Sequence, residues 1–243
     1  MGNCKLTVNI YNNYDKITNG QKLYDSYNEF IISSDRNVLH KLLWRYSLYE
    51  KVKNIPGDIV ECGVFKGSGI LAWLKFLNMQ EPHSLKKVIG FDFFEPSFVE
   101  KLTDEKDKKS MQQVFDRCES LNKNDLSIEG ISGKITSSGF QQSKFELIKG
   151  NISETSYKYV ESRPGFKISL LYLDLDLAEP TYHTLKALWP RISSGGIIVL
   201  DEYAHHIWSE AAGLDRFLEE NAISSTCLIP TNIGAPTHYF YKA

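Results

Sequence analysis

Ile168-Ser-Leu-Leu-Tyr-Leu-Asp174-Leu-Asp176-Leu runs into one helix-length segment, then the Gly195-Gly196 turn, then Ile197-Ile-Val-Leu-Asp201-Glu202-Tyr203. Each half is a hydrophobic run that ends in acids. Two apolar strands joined by a helix read as a parallel β-α-β unit. Such a unit delivers both strand C-termini to one edge of a sheet, where open α/β sheets bind ligands. Carboxylates gathered at that edge repel one another unless a cation sits between them.

The same grammar continues on both sides of this unit. Upstream, Asp58-Ile-Val-Glu61-Cys-Gly63-Val is a short buried strand, and Gly67-Ser68-Gly69 opens an apolar helix through about Leu77. Val88–Asp92 and Phe145–Lys149 are further strands, the latter followed by Gly150-Asn151. Downstream, a helix spans about Ser209–Glu220, and two short β runs lie near Thr226–Ile229 and His238–Tyr241. Ser34-Asp35-Arg36 is placed to cap a helix from about Asn37 to Lys53, with Leu39, Leu42, Leu43, Tyr46 and Tyr49 at helical spacing. Residues 1–20 are polar and read as a loose or partner-contacting arm. The expectation is one α/β domain over residues 1–243, with a helical extension at 1–55 and a doubly wound, mainly parallel sheet.

Residues 95–143 break the rhythm. A charged helix is expected from Asp104 to Leu121 and a Gly/Ser-rich piece from Gly130 to Ser143. The segment reads either as a lid or substrate loop, or as a solvated surface helix with a loop.

Composition narrows the field. The chain has 243 residues and a net charge of −2, so there is room for a full core and no nucleic-acid footprint. No apolar run is of membrane-spanning length, and the start has no signal-peptide pattern. Met1-Gly2-Asn3-Cys4-Lys5-Leu6 departs from the myristoylation pattern at its sixth position. Cys4, Cys62, Cys118 and Cys227 show neither zinc nor CxxC spacing, with Cys62 and Cys227 in apolar runs. A reducing cytoplasm fits this usage.

Two cofactors compete for the glycine loop. Gly67-Ser-Gly69-Ile-Leu-Ala72 matches a dinucleotide fingerprint, with Asp92 near the right distance for a ribose. S-adenosylmethionine is favoured because Glu61, just before Gly63, suits an ammonium and would repel a pyrophosphate. On that reading Glu61, Gly63, Gly67, Ser68, Asp92 and Asn151 hold the cofactor. Asp92 would accept from the ribose hydroxyls or else cap a helix. Asn151 would read the adenine edge or else be a turn residue.

The motifs together resemble the macrocin O-methyltransferase family, the sugar methyltransferases of macrolide antibiotic pathways. The resemblance rests on Pro56-Gly-Asp-Ile-Val-Glu-Cys-Gly-Val-Phe-Lys-Gly-Ser, Phe91-Asp-Phe-Phe-Glu-Pro96, Lys149-Gly-Asn-Ile-Ser-Glu-Thr155 and Leu173-Asp-Leu-Asp-Leu-Ala-Glu-Pro-Thr181. Leu188-Trp-Pro190, Gly195-Gly196, Asp201-Glu-Tyr203, Trp208 and Asp215-x-Phe217 complete it, so that it runs from about Leu39 to the C-terminus. Many relatives carry Asp where this chain has Glu202 and Tyr where it has Ala178, and segment 97–143 shows no family motif. The resemblance implies a class I S-adenosylmethionine-dependent methyltransferase fold with a seven-stranded sheet.

By that resemblance, Asp174, Asp201 and Glu202 bind one Mg²⁺ that also holds two vicinal sugar hydroxyls. Carboxylates from two strand ends suit a hard cation, and a cation acidifies a hydroxyl and orients it. Strand alternation puts Asp176 on the face of Asp174, so either could serve. Asp174, His205 or His206 could take the proton. Trp208 either floors the sugar site or belongs to the core.

The expected function is Mg²⁺-dependent O-methylation of a sugar or nucleotide-linked deoxysugar by a cytoplasmic homo-oligomer, with no nucleic-acid or membrane partner. Alternatives are a methyltransferase of a catechol-like or other small diol, a S-adenosylmethionine-binding protein without catalysis, and a dehydrogenase.

Overall fold

A computed structural model describes residues 14–116 and 123–243, in two compact units that divide between Leu39 and His40. In the first unit, α1 (Tyr14–Ile32) is followed by a turn in which Asp35 Oδ1 accepts the Asn37 N–H at 2.8 Å. That side chain caps the start of α2 (Asn37–Val52), as the Ser-Asp-Arg signal led one to expect. The expected polar arm is therefore helical from Tyr14 on, and the residues before it lie outside the described part, as do Cys4 and Cys118. Leu23, Tyr24, Tyr27, Ile31 and Ile32 of α1 are exposed.

The second unit, from His40 onward, is built on a seven-stranded sheet. Its strands are β1 (Asp58–Cys62), β2 (Val88–Asp92), β3 (Phe145–Lys149), β4 (Ile168–Leu173), β5 (Ile192–Leu200), β6 (Ile229–Pro230) and β7 (His238–Tyr241). The order is β3-β2-β1-β4-β5-β7-β6. The first five are parallel, and β7 is antiparallel to both of its neighbours. This is the doubly wound sheet with a hairpin finish that the sequence implies. The central strand β4 is buried along its whole length because both faces are covered.

One face of the sheet, with Leu171, Leu173, Ile198 and Leu200, packs on α7 (Ile152–Glu161), α8 (Ala178–Leu188) and α9 (Glu210–Glu220). The other, with Ile59, Leu170, Tyr172 and Val199, packs on α2, α3 (Ser68–Gln80) and α6 (Ile128–Ser137). Each fully buried Leu or Ile here contributes about 1.5–3 kcal/mol of apolar burial.

Between β2 and β3 lie a 3-10 turn at Pro96–Lys101, α4 (Glu105–Asp116), α5 (Lys123–Leu126) and α6. α4 matches the expected charged helix over its described part, the rest of that span lying outside the described residues. The expected Gly/Ser-rich loop is corrected: its first part is α6, whose N-terminus Ser127 caps by accepting the Gly130 N–H at 3.0 Å. Ile131 and Ile135, one turn apart, bury a stripe that outweighs the helix cost of Gly130 and Gly133. The β run expected near Thr226–Ile229 is a 3-10 turn at Ser225–Cys227 followed by β6.

Register sets the site. Cys62, Leu173 and Leu200 stand level across β1, β4 and β5, so Gly63, Asp174 and Asp201 emerge together at the C-terminal edge. Asp174 N–H donates to Cys62 O at 2.8 Å, and Asp201 N–H to Leu173 O at 2.9 Å. Gly63 has φ +90°, and a Cβ there would stand 1.8 Å from the Asp174 carbonyl oxygen. Gly63→Ala therefore combines backbone strain with a backbone clash. It should cost about 3 kcal/mol or more, read as a lowered urea midpoint with unchanged slope. A wild-type midpoint would contradict this close approach of β1 and β4.

Candidate active site

Past the strand ends lies a cavity of about 350 Å³. Its floor carries Asp174, Asp176, Asp201 and Glu202, its β2 side carries Asp92 and Glu95, and Gly63 and Gly150 also line it. Its wall is apolar: Phe93, Phe98, Met111, Phe115, Leu177 and Trp208. Val99, Met111 and Leu177 form a small core of their own, with Phe98, Phe115 and Trp208 packed against it. The segment after β2 is thus a structured wall of the cavity, and Trp208 serves both as packing and as lining.

The four acids are held unequally. Lys41 Nζ, from α2, bonds Asp174 Oδ2 at 2.9 Å and Asp201 Oδ2 at 2.7 Å. Burial alone would lower the pKa of this ammonium, but Asp174, Tyr172 and Asp201 outweigh it and raise it. The Tyr172 hydroxyl donates to Asp201 Oδ1, so both oxygens of this 1 % exposed carboxylate are engaged. Burial and then repulsion from Asp174 push Asp201 up to about 6. Burial, Asp201 and Asp174 push Glu202 up to about 8. Asp176 is raised well above the usual range by burial and by Asp174, Glu202 and Asp201.

Asp176 is not on a strand, which corrects the alternation argument. β4 ends at Leu173, and Asp176 adopts φ +63° in the turn before α8. Its carbonyl accepts the N–H groups of Ser209 and Glu210, tying this turn to the start of α9. Glu210 is fully buried, accepts the Glu202 N–H through Oε2 at 3.0 Å, and leaves Oε1 unpartnered.

The glycine loop sits over a buried ion pair. Glu61 is 2 % exposed; Arg45 donates to its Oε1 at 2.9 Å and the Trp73 indole to its Oε2 at 3.0 Å. The Arg45 guanidinium also lies 4.4 Å from the centre of the Tyr172 ring. Gly69 makes room for the pair, since a Cβ there would meet both Arg45 Nη1 and Glu61 Oε1 at 1.9 Å. Glu61 is thus placed beneath the loop and not on the cavity wall.

Gly67 is the buried N-cap of α3 at φ +84°, with exposed Ser68 as its first residue. Asp92 lines the cavity and also braces the loop: Oδ2 accepts Val64 N–H at 2.7 Å and Phe65 N–H at 3.0 Å, and Oδ1 accepts Phe94 N–H at 2.9 Å. Asn151 caps α7, its Oδ1 accepting the Ser153 N–H at 3.0 Å.

Of the acids expected at a metal, Asp174, Asp201 and Glu202 are brought to one cavity. Among the described residues, no three His, Cys, Asp or Glu side chains stand in a metal-holding arrangement. The position between Asp174 and Asp201 belongs to Lys41 Nζ. His205 and His206 stack on each other at 5.2 Å on the loop after β5, away from the cavity lining, with His205 Nδ1 buried and unpartnered. Lys41, Arg45, Tyr172 and Glu210 escaped the sequence reading. The available signal was the spacing of Lys41 and Arg45, four apart on α2, which puts both on one face.

The sheet order and the edge cavity define the class I S-adenosylmethionine-dependent methyltransferase fold. Among solved structures, the O-methyltransferase NovP superposes with TM-score 0.68 at 21 % identity, covering 84 % of this chain and 80 % of that one. CalS11, a TDP-rhamnose 3'-O-methyltransferase of calicheamicin biosynthesis, superposes with TM-score 0.60 at 22 % identity, covering 96 % of each chain. The sequence model of the macrocin-O-methyltransferase (TylF) family matches residues 46–234, and the chain belongs to that family. A Streptomyces olivaceus relative, 8-demethyl-8-(2,3-dimethoxy-alpha-L-rhamnosyl)-tetracenomycin-C 4'-O-methyltransferase, is 25 % identical over 154 residues. That match takes in 62 % of this chain and about half, 54 %, of the relative's length.

Two expectations follow from the charges. Arg45→Met leaves Glu61 buried and unpaired and should cost about 3–5 kcal/mol of unfolding free energy, whereas Arg45→Met with Glu61→Met should recover much of it. Equal losses in the two proteins would deny that the pair is a unit. For Glu202, the folded-state pKa of about 8 exceeds the ordinary value of 4.5, so folding retains a proton that the unfolded chain releases. Its contribution is present below about pH 4.5 and is lost as pH rises through about 8. In EDTA, the fall in melting temperature between pH 5 and pH 9 should therefore be shallower for Glu202→Gln than for wild type; parallel curves would refute it.

Proposed function

We propose that this chain is an S-adenosylmethionine-dependent O-methyltransferase acting on a hydroxyl of a sugar, with a divalent cation at the acidic floor. The observation that carries the reading is the convergence of the glycine loop, Asp92 and the four-acid floor on one cavity, in a chain of this family. The methionine part of the cofactor would lie over the loop at Gly63–Ser68, with Asp92 and Gly150 toward its ribose and adenine. Asp92 would serve by bracing the loop as well as by contact. Glu61 would act from beneath, by holding the loop in place, and Asn151 by capping α7 beside it.

Asp174, Asp201 and Glu202 would hold Mg²⁺, for which their hard oxygen donors and mutual repulsion are suited. When bound, such an ion supplies Lewis-acid polarisation of an acceptor hydroxyl. Asp174 would take the hydroxyl proton. His205 and His206 remain a second choice, separable by single substitutions. The apolar wall would exclude water, and segment 95–143 would act as a lid. Six acids and Lys41 among the lining favour a neutral sugar over a diphosphate at the cavity itself, so a nucleotide carrier would lie outside it. The aromatic wall also keeps open a second acceptor, a catechol-like diol.

No helix of the described residues is long and apolar enough to cross a membrane. The free thiols Cys62 and Cys227 support a reducing cytoplasm, and the exposed apolar residues of α1 support a homo-oligomer.

Methyl transfer to a panel of neutral glycosides, nucleotide sugars and catechols tests the reading. Activity should appear with a glycoside, vanish in EDTA and return with Mg²⁺ or Mn²⁺. Asp201→Asn should keep S-adenosylhomocysteine affinity within about threefold while losing several kcal/mol of transition-state stabilisation. Full activity after exhaustive chelation would remove the ion from the mechanism.

A further inference from the structure

We propose that Lys41 is a built-in counter-cation that competes with a divalent ion for Asp174 and Asp201. The proposal rests on the metal reading above and concerns what this chain adds to it.

The geometry is direct. One ammonium bridges carboxylates from two different strands, at 2.9 and 2.7 Å. A divalent ion shared by Asp174 and Asp201 needs the same space. Tyr172 already donates to Oδ1 of Asp201, so each oxygen of this carboxylate carries one donor. An ion held between Asp174 and Asp201 would take the place that Lys41 Nζ now fills.

Lysine is suited to leaving. Its charge sits on a flexible four-carbon stem and has no planar fork to hold it to a carboxylate. The Lys41 side chain is 32 % exposed and lines the cavity, which gives it room to move. Its root stays in place, because Arg45, one turn further along α2, is fixed by Glu61 and by the Tyr172 ring. α2 thus carries one immobile cation and one that can swing away.

Charge explains why both states are useful. Without an ion, Lys41 offsets part of the repulsion among Asp174, Asp176, Asp201 and Glu202 and holds the floor together. With an ion, a double charge replaces a single one among the same acids. The cost is affinity, since each binding event must displace an ammonium. Lys41 and Arg45 both precede residues 46–234, the stretch that the family model matches, so this device lies outside the matched core.

Mn²⁺ binding to the metal-free protein, followed by calorimetry and by the electron paramagnetic resonance signal of the free ion, tests the competition without turnover. Lys41→Met should bind Mn²⁺ at least about tenfold more tightly than wild type. Lys41→Arg, which keeps the charge, should bind no more tightly than wild type. Adding Asp201→Asn to Lys41→Met should abolish the gain, which places the ion at this floor. Should Lys41→Met fail to fold, judged by its melting curve, Lys41→Gln carries the same expectation. If wild type binds the ion and the neutral variants bind it equally or more weakly, the competition is overturned and the metal reading stands. If none of the proteins binds Mn²⁺ at millimolar concentration, the metal reading fails and the competition falls with it.

Discussion

Like-charge repulsion at the C-terminal edge of the sheet is the constraint to which the rest of this structure answers. Parallel strands end together, so the acids after β4 and β5 must share one small volume. Asp174, Asp176, Asp201 and Glu202 do so with their protons held more tightly than usual or their charges paired. The answer comes from α2, whose Lys41 and Arg45 are one helical turn apart. Arg45 settles Glu61 beneath the glycine loop, and Lys41 reaches the floor. Tyr172 joins the two halves, lying under the Arg45 guanidinium and bonding Asp201.

The backbone around the edge is shaped to the same end. Gly63 lets β1 pass close to the Asp174 carbonyl, and Gly69 leaves the space that the Arg45–Glu61 pair fills. Asp92 binds the loop after β1 to the end of β2 through three N–H groups. Asp92 is therefore part of the scaffold as well as of the cavity lining, and its substitution would loosen the loop. Glu61 shows the same lesson more strongly, because its oxygens are already engaged by protein donors.

Most of the sheet was legible because parallel strands announce themselves as apolar runs with an acid or glycine at the end. β2 and β3 begin and end where their patterns do, and α2 starts where Ser-Asp-Arg says it should. α6 was hidden by its glycines, since local propensity misses a stripe of two isoleucines that tertiary packing rewards. Asp176 was misplaced because alternation holds only within a strand, and β4 stops one residue before Asp174. The acids of the floor could be found from strand ends alone. Their cationic partners could not, because Lys41 and Asp201 stand 160 positions apart and no local pattern connects them.

That separation bears on how the domain is assembled. The acids are joined to one another through neighbouring parallel strands, but their counter-charge arrives from a helix near the other end of the chain, 133 positions from Asp174. Contacts of this span form late and slow the search for the native state. A fragment cut at residue 46 would keep every acid of the floor and the whole stretch that defines the family, yet would lose both cations. The stretch by which this protein is recognised is therefore smaller than the piece that is electrostatically complete, because the part of α2 that carries both cations precedes the family's signature while the rest of the helix lies within it.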